Sequence, residues 1–396
     1  MKQSGSVWPQ HLLQWFWRVK RDLPWRNTED PYAIWVSEVM LQQTQVKTVI
    51  PYYQKFLERF PTVRSLAEAE LEEVLEMWRG LGYYSRARHL WEGARFVFEH
   101  FEGGVPENYE SLLAIPGVGE YTAGAIASIA YHERVPAIDG NVNRVLARLI
   151  AWEEPTAKVK SRRVFREVLK EAQPGEYPGD FNQALMELGA TVCTPKAARC
   201  GECPLEMECD AHRLGQESAF PVKHSQVRVT EAFRFTLMIR KGDRLLVKKR
   251  PASGLLANLW EFPGEEILKH DFHLFKDGKD CLTAAESGEL YGKSEQAINN
   301  EFLRPGFWYD LYQRVVSDHS QDENMKKKLE KGLEVKGPIF YIFSHRRWEM
   351  YWVDLEWPDE ISDIGLCWVS WEELKRMALP VAFQKLLEEP NRNYEG

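Results

Sequence analysis

Residues 112–149, LLAIPGVGEYTAGAIASIAYHERVPAIDGNVNRVLARL, decide the fold of this 396-residue chain. The apolar residues on either side of Pro116-Gly117-Val118-Gly119 predict two helices joined by a tight glycine hairpin. Two glycines allow the backbone to approach a ligand closely, and the free N–H groups at the start of the second helix favour a phosphate. We therefore expect a hairpin that holds phosphate through its backbone, with an ordinary turn as the alternative.

A carboxylate follows the hairpin, at the start of the next predicted helix. Asp139 precedes Val142, Val145, Leu146 and Leu149, whose i, i+3, i+4, i+7 spacing marks one apolar helix face. Taken alone, Asp139 is as well explained as a helix N-cap, and the hairpin as a turn. Together they predict a carboxylate close to a candidate phosphate site.

This combination resembles the helix-hairpin-helix DNA glycosylase superfamily that contains endonuclease III, and the segments PGVGEYTAGAI and IDGNVNR resemble the adenine glycosylases of the MutY family. The resemblance makes Gly117, Val118 and Gly119 DNA-binding residues. Glycosylase/lyases of the endonuclease III type carry a lysine two residues after the second hairpin glycine, where its amine attacks the sugar. Here that residue is Tyr121. Because a phenol cannot form an imine, the resemblance implies hydrolysis of the glycosidic bond without strong strand cleavage.

Length and composition are those of a globular protein of two or three domains, with 44% apolar and 12% aromatic residues. No run approaches the roughly 20 apolar residues that span a bilayer, and the first ten residues, MKQSGSVWPQ, lack the apolar core of a signal peptide. We expect a cytoplasmic, nucleoid-associated protein. A net charge of -8 argues against non-specific coating of DNA but allows a locally basic groove. The densest basic cluster, either a phosphate contact or a solvated helix face, comprises Lys158, Lys160, Arg162, Arg163, Arg166 and Lys170.

A second carboxylate lies within an apolar helical pattern upstream, in residues 35–48, WVSEVMLQQTQVKT. Burial among apolar neighbours would raise the pKa of Glu38 and allow it to act as a general acid near neutral pH, whereas a surface glutamate is the alternative. EVMLQQTQV resembles the MutY-family signature. The resemblance implies that Gln43 wedges into the duplex and that Thr44 touches the opposing base.

The resemblance also divides the chemistry between the two carboxylates. Glu38 would protonate the adenine, and an ionised Asp139 would stabilise the positive charge that develops on the sugar, by charge or by transient covalent bonding. Tyr121 and Asn141 would orient this pair.

Residues 61–101 contain two helical patterns separated by a glycine-rich turn, GLGYY. Aromatic rings on such a turn, next to Arg86 and Arg88, suit stacking on bases with phosphates nearby, and tyrosines buried at a helix junction are the alternative. GLGYYSRA resembles the loop with which these glycosylases penetrate DNA. Leu81 and Tyr83 are therefore candidate intercalating residues.

Four cysteines, Cys193, Cys200, Cys203 and Cys209, are spaced C-x6-C-x2-C-x5-C. In a chain without a secretory signal, this spacing argues against disulfides and for zinc or an iron–sulfur cluster, between which spacing alone does not choose. Spacing and position match the 4Fe-4S loop of endonuclease III and the MutY family, so the resemblance implies that cofactor. Cys281 and Cys367 stand outside the pattern and are expected to be ordinary thiols.

A second domain follows an irregular polar linker. Alternating apolar residues predict a hairpin from 233–239 and 245–247 and a strand pair from 338–343 and 349–355. Helical patterns predict helices at 371–377 and 381–389. Ser370 and Glu373 predict a capping box.

One segment of this domain, RPASGLLANLWEFPG, resembles Nudix-like domains, but the following residues lack the REUxEExGU helix with which Nudix hydrolases hold magnesium. The resemblance therefore implies the non-hydrolytic Nudix-like domain that inspects the base opposite adenine. Phe343-Ser344-His345 matches its contact loop, in which Ser344 and His345 would face 8-oxoguanine.

The sequence thus predicts a multidomain enzyme with a helical DNA glycosylase domain in 1–215, a linker in 216–231 and an α+β Nudix-like domain in 232–396 with an unusual insert at about 268–336. We expect a monomer that removes adenine from A:8-oxoguanine and A:G pairs in double-stranded DNA. A pyrimidine glycosylase/lyase is disfavoured by Tyr121 and by the second domain, and a non-enzymatic damage-binding protein by the retention of Glu38 and Asp139. A Nudix phosphohydrolase lacks its metal helix.

Overall fold

Two separate units make up the chain, residues 1–226 and residues 227–396. The computed structural model describes residues 7–222, 229–269, 304–316, 323–343, 345–356 and 366–388. Within these ranges no helix is both long enough and apolar enough to span a membrane.

The first unit is built from helices and short turns. Its helices are α1 Trp8–Val19, α2 Pro31–Leu41, α3 Val46–Arg59, α4 Val63–Ala67, α5 Leu71–Met77, α6 Ser85–His100, α7 Tyr109–Leu113, α8 Glu120–Ala130, α9 Gly140–Leu149, α10 Val159–Ala172, α11 Pro178–Thr191 and α12 Asp210–Arg213. The predicted hairpin is confirmed, since α7 and α8 flank residues 114–119.

Helix α2 is buried along its length, from Tyr32 to Met40. It starts at Pro31 because proline fixes the first helical φ and because the Asp30 side chain accepts a hydrogen bond from the backbone N–H of Tyr32. An apolar sequence on every face predicts such a central position. The polar residues of α2 are therefore held in fixed surroundings.

Glycines allow three helices near the hairpin to pack backbone against backbone. A Cβ atom at Gly124 would lie 2.5 Å from the carbonyl oxygen of Pro136, and one at Gly189 would lie 2.6 Å from the Cβ of Asn141. Side chains of any size at these positions would force α8 and α11 away from the start of α9.

An apolar core joins α1, α9, α10 and α11. Its fully or almost fully buried members include Leu12, Phe16, Leu146, Phe165 and Phe181. Cys193, Cys203 and Cys209 pack against the same core. The cysteine loop is therefore attached directly to the helix that begins at Asp139.

The second unit contains a mixed sheet. Its strands are β1 Thr230–Lys241, β2 Arg244–Lys249, β3 Trp260–Glu261, β4 Gly264–Leu268, β5 Val335–Ile342, β6 Arg346–Glu356 and β7 Leu366–Ser370. The strand order is β3-β2-β1-β6-β5, with β4 paired to β1 and β7 paired to β2. The β1 and β6 strands are parallel, and the other pairs are antiparallel.

Helices cover both faces of this sheet, which explains why β1 is buried over eight consecutive residues. They are α13 Pro305–Val315, α14 Glu323–Gly332, α15 Trp371–Arg376 and α16 Val381–Leu387. One core contains Phe235, Trp308 and Leu311, and the other contains Trp348 and Phe383.

These elements confirm the predicted hairpin, strand pair and C-terminal helices. The Ser370 capping box is also present. Of the predicted insert at 268–336, residues 268–269, 304–316 and 323–336 are described and include α13 and α14. Cys281 lies outside the described residues.

Candidate active site

Two carboxylates and a phenol form the centre of the first unit. Glu38, on α2, is only 6% exposed. Tyr121, in the first turn of α8, donates a hydrogen bond from its hydroxyl to Oε2 of Glu38. The tyrosine at the position of the lyase lysine is therefore hydrogen-bonded to the predicted general acid.

The pKa of Glu38 is raised to about 7, chiefly by burial and also by the nearby charge of Asp139, while the Tyr121 hydrogen bond and the positive charge of Arg26 oppose the rise. The raised pKa lets Glu38 carry a proton closer to neutral pH than an exposed glutamate would. The structure confirms the predicted burial and its consequence for the pKa.

Asp139 is the N-cap of α9 and also the second carboxylate of the site. Its Oδ1 accepts from the backbone N–H of Val142 at 2.7 Å, and its Oδ2 accepts from Nδ2 of Asn141 at 2.8 Å. Burial raises the pKa of Asp139, and these hydrogen bonds act against that rise because they favour the ionised form. The two explanations of Asp139, as a cap and as a site residue, are thus compatible.

A further carboxylate of the first unit, Glu187, is paired with two arginines, one of which, Arg26, acts on Glu38 by its charge. Glu187, on α11, is 1% exposed. It accepts hydrogen bonds at 2.7–2.8 Å from the guanidinium groups of Arg21 and Arg26. These residues are not among the predicted site residues, although Glu187 carries the same signal as Glu38, a carboxylate within an apolar helical pattern.

Arg144 links the second carboxylate to the cysteine loop. Its guanidinium donates to Oδ1 of Asn141 at 2.9 Å and to the carbonyl oxygens of Gly189 and Cys193 at 2.8 Å. Asn141 in turn donates to Asp139. The orientation of Asp139 therefore depends on a chain of contacts that ends at the first cysteine.

The hairpin has the geometry that the sequence predicts. Gly117 has φ +79°, and a Cβ there would lie 2.5 Å from the Cβ of His89. Gly119 is the N-cap of α8 and provides no side-chain cap, so its helix begins with free N–H groups. Val118 is buried and anchors the turn.

The predicted DNA-contact residues lie on two turns. Gln43, after α2, is exposed, and Tyr83, before α6, is 47% exposed. Both have left-handed backbones, with φ 58° and 50°. Thr44 is half-buried, and Leu81 is 5% exposed, so a contact from Leu81 to DNA would require its turn to change conformation.

Arg86 corrects one expectation of the sequence analysis. Its side chain does not face solvent beside the turn, because the guanidinium is buried and donates to carbonyl oxygens of both turns. Arg88 is partly exposed, with its Nε 3.7 Å from Glu92. Phosphate contacts at this turn therefore cannot come from Arg86.

The four cysteines line one cavity, together with apolar residues of α9 and α11. Arg148, which is 4% exposed, donates to Sγ of Cys193 at 3.2 Å. Burial and the neighbouring thiols raise the pKa of Cys203 to about 12. A raised pKa favours the neutral thiol, so the cysteines would become thiolates only with a bound cation or cluster to compensate their charge.

A second group of potential metal ligands lies nearby, with one atom each from Cys200, His212 and Glu217, all within 4.8 Å of one another. The ring nitrogens of His212 already contact carboxylates, Nδ1 with Glu217 at 2.5 Å and Nε2 with Glu206 at 3.2 Å. These contacts make His212 a partner of the carboxylates rather than a replacement for a thiolate ligand.

The basic cluster on and before α10 is largely paired with carboxylates. Lys158 and Lys160 contact Glu154, and Arg166 contacts Glu120. These contacts favour a solvated, ion-paired helix face over a phosphate-binding surface.

In the second unit, His345 is exposed on the connection between β5 and β6, whereas Ser344 lies outside the described residues. Cys367 is a free, partly buried thiol of β7.

Comparison with known proteins gives a consistent family. The HhH-GPD superfamily base excision DNA repair protein model matches residues 36–171. The chain is 36% identical to the adenine DNA glycosylase of Rattus norvegicus, over 96% of this chain and 77% of the relative. It is 43% identical to that of Homo sapiens, over 97% and 73%. A solved thermostable thymine-DNA glycosylase is 28% identical, with a TM-score of 0.49, over 52% of this chain and 96% of that one.

The matched region contains Glu38, Tyr121 and Asp139, and the alignments to the glycosylases of rat and human extend over nearly the whole chain. The chain belongs to the adenine DNA glycosylases, base-excision repair enzymes that remove adenine by hydrolysing its N-glycosidic bond.

Proposed function

We propose that this enzyme removes adenine paired with 8-oxoguanine, and also adenine paired with guanine, in double-stranded DNA. The observation that supports the chemistry is the buried hydrogen bond between Tyr121 and Glu38 in the site that also holds Asp139. Adenine is a normal base, so an enzyme that reads adenine alone would also attack A:T pairs. The opposite base must therefore contribute to recognition.

Glu38 acts as the general acid. Adenine is a poor leaving group, and protonation at N7 by neutral Glu38 precedes cleavage of the glycosidic bond. The pKa of about 7 keeps a useful fraction of Glu38 protonated while leaving it acidic enough to donate. Tyr121 holds the carboxyl in place through its hydroxyl.

Asp139 stabilises the oxocarbenium-like sugar that forms as adenine departs. Its two oxygens are fixed by Val142 and Asn141, so the carboxylate needs no reorganisation when positive charge develops. Water then adds to the sugar, and the product is an abasic site with the strand intact. The absence of an amine at Tyr121 supports this hydrolytic outcome.

The first unit holds DNA through three turns, which are the hairpin at 114–119 and the turns that carry Gln43 and Tyr83. The free backbone N–H groups at the start of α8, beside Gly117 and Gly119, donate to a phosphate. Gln43 and Tyr83 enter the base stack when the adenine leaves it, Leu81 follows once its turn changes conformation, and Thr44 touches the opposing base. The exposure of Gln43 and Tyr83 supports their part of this proposal.

The second unit, which we propose to be Nudix-like, reads the base opposite adenine. His345 is exposed next to β6, and its ring nitrogens can donate to O8 of 8-oxoguanine or accept from its N7–H. Ser344 would supply a second hydrogen bond to the same base edge. Guanine lacks O8 and the N7–H and would lose these contacts.

We further propose that the four cysteines hold a 4Fe-4S cluster. The fit rests on the donor set, which is four thiols around one cavity with apolar walls, and on the N–H that Arg148 directs at Cys193. When bound, the cluster would fix the 193–209 loop. Because hydrolysis transfers no electron, the loop would contribute through the position of its residues and not through redox chemistry.

One experiment separates these proposals from their alternatives. The full chain is incubated with labelled duplexes containing A:8-oxoguanine, A:G, A:C or thymine glycol, and abasic sites are then cleaved with alkali. We expect cleavage after alkali at A:8-oxoguanine and A:G, in that order of rate. Excision of thymine glycol, or strand breaks without alkali, would instead indicate a pyrimidine glycosylase/lyase.

A further inference from the structure

One buried cation joins the two exposed turns on which Gln43 and Tyr83 lie. Arg86 is the second residue of α6 and is 7% exposed. Its acceptors are the carbonyl oxygens of Val39 (2.8 Å), Met40 (2.8 Å), Gln42 (2.6 Å), Leu81 (3.4 Å) and Gly82 (3.0 Å), and Oγ1 of Thr44 (3.0 Å). Nη1 bonds the end of α2, and Nη2 bonds both turns.

The surroundings of Arg86 compensate its charge without a paired carboxylate among these contacts. The last carbonyl groups of α2 carry the negative end of the helix dipole, and α2 has no basic residue of its own in its last turn. The guanidinium carbon also lies 5.4 Å from the ring centre of Trp78 and 5.6 Å from that of Tyr83. Arg86 is therefore held by helix carbonyls and aromatic faces.

The two turns need such support because their backbones are strained. Gln43 has φ 58° and Tyr83 has φ 50°, in the left-handed region that side chains with a Cβ disfavour. Arg86 bonds the residues on both sides of Gln43, at Gln42 and Thr44. It also bonds the residue before Tyr83, at Gly82.

We propose that Arg86 is a positioning residue for base extrusion, holding Gln43 and Tyr83 at a fixed separation so that both enter the base stack together when adenine leaves it. This inference rests on the proposed DNA roles of Gln43 and Tyr83. The geometry requires arginine, because the three donors of lysine share one nitrogen and cannot reach α2 and both turns together.

The test compares full-length wild type with Arg86→Lys on two duplexes. In the first duplex, adenine is paired with 8-oxoguanine. In the second, the same adenine lies opposite a tetrahydrofuran abasic analogue, so it breaks no base pair when it leaves the stack. Single-turnover rates are measured with saturating enzyme. We expect Arg86→Lys to lower the first rate by about tenfold or more, and the second by no more than about threefold, since misplaced groups affect the step that they position.

The matched control is Arg95→Lys, on the same helix, where the guanidinium is exposed and lies 3.9 Å from Glu99. Both rates should stay at the wild-type value. Thr44→Val provides a second variant that removes one acceptor from a half-buried side chain, and it should show a smaller loss that is again selective for the paired duplex. Equal losses on the two duplexes, or no loss, would overturn the positioning role.

The variants Gln43→Ala and Tyr83→Ala distinguish a failure of the Arg86 inference from a failure of the proposed DNA contacts on which it rests. If these variants lose activity selectively on the paired duplex while Arg86→Lys does not, the turns enter DNA without help from Arg86 and the inference fails alone. If the alanine variants behave like wild type on both duplexes, the proposed DNA role of the turns fails and the inference fails with it.

Discussion

At the scale of single residues, we expect Glu38 to set the pH dependence of the reaction. Burial raises its pKa to about 7, and the acid works in its protonated form. Activity that depends on Glu38 is therefore present below this pH and is lost as the pH rises through it.

We expect the single-turnover rate to fall by about tenfold per pH unit on the alkaline side of the Glu38 pKa. The hydrogen bond from Tyr121 favours the ionised carboxylate. Tyr121→Phe should therefore move the alkaline limb to higher pH, which a pH–rate profile at saturating enzyme would detect. If the alkaline limb of Tyr121→Phe lay at the same pH as that of the wild type, Tyr121 would not control the titration of Glu38.

Removing either carboxylate should slow the excision of adenine while leaving the binding of the DNA duplex largely intact. We expect Glu38→Gln and Asp139→Asn each to lower the single-turnover rate by about 100-fold or more, the usual scale for acid–base groups. Duplex binding, measured by fluorescence anisotropy, should change little because the hairpin and turns remain. Near-normal rates in both variants would refute the assignment.

The cysteine loop and α9 act together at the scale of elements. Cys193 contacts both Arg144 and Arg148, and these two arginines lie on the helix that begins at Asp139. The position of the loop is therefore transmitted to the start of α9 through hydrogen bonds.

We expect Cys203→Ser to remove the cluster and to weaken folding and DNA binding together. Purified wild-type protein should be brown and contain four iron atoms per chain, as a 4Fe-4S cluster requires. Iron assay and thermal melting check both points, with Cys367→Ser as the control because Cys367 lies in the other unit. A colourless, fully active protein with one zinc per chain would contradict the cluster.

The elements that local patterns encode were predictable, and the contacts between distant elements were not. The hairpin depends on neighbouring glycines, the burial of Glu38 on the apolar residues around it, and the capping box on Ser370 and Glu373 three residues apart. Each signal lies within about one helical turn of its residue.

Arg86 shows why the remainder could not be predicted. Its acceptors at Val39 to Thr44 lie more than 40 residues earlier, and nothing in GLGYYSRA distinguishes an arginine that faces inward from one that faces DNA. Arg26 and Glu187 present the same difficulty, since 161 residues separate them. Long-range pairing of charges follows from the tertiary fold, which no single segment specifies.

At the scale of the whole molecule, the two units have different proposed tasks. The first contains the carboxylates, the hairpin and the cysteine loop, whereas the second contains His345. Removal of the second unit should therefore affect specificity more than chemistry.

We expect a chain that ends at Val222 to keep glycosylase activity on A:8-oxoguanine but to lose roughly 1–3 kcal/mol of preference over A:G, the value of a good contact to a base edge. The cut must follow Phe220, because Arg148 donates to the carbonyl oxygens of Glu217 and Phe220. Rates on both duplexes measure the preference. Undiminished discrimination would place recognition wholly in the first unit.

The tight packing at Gly189 has a consequence for natural variation. An allele encoding Gly189→Ala would be scored as conservative, because it adds one methyl group to a helix on which no reacting atom lies. That methyl would stand 2.6 Å from the Cβ of Asn141, the residue that orients Asp139. Such a variant would loosen the packing of α11 on α9 and disturb the Asn141–Asp139 hydrogen bond together, so a score based only on the size of the side-chain change would pass it as harmless.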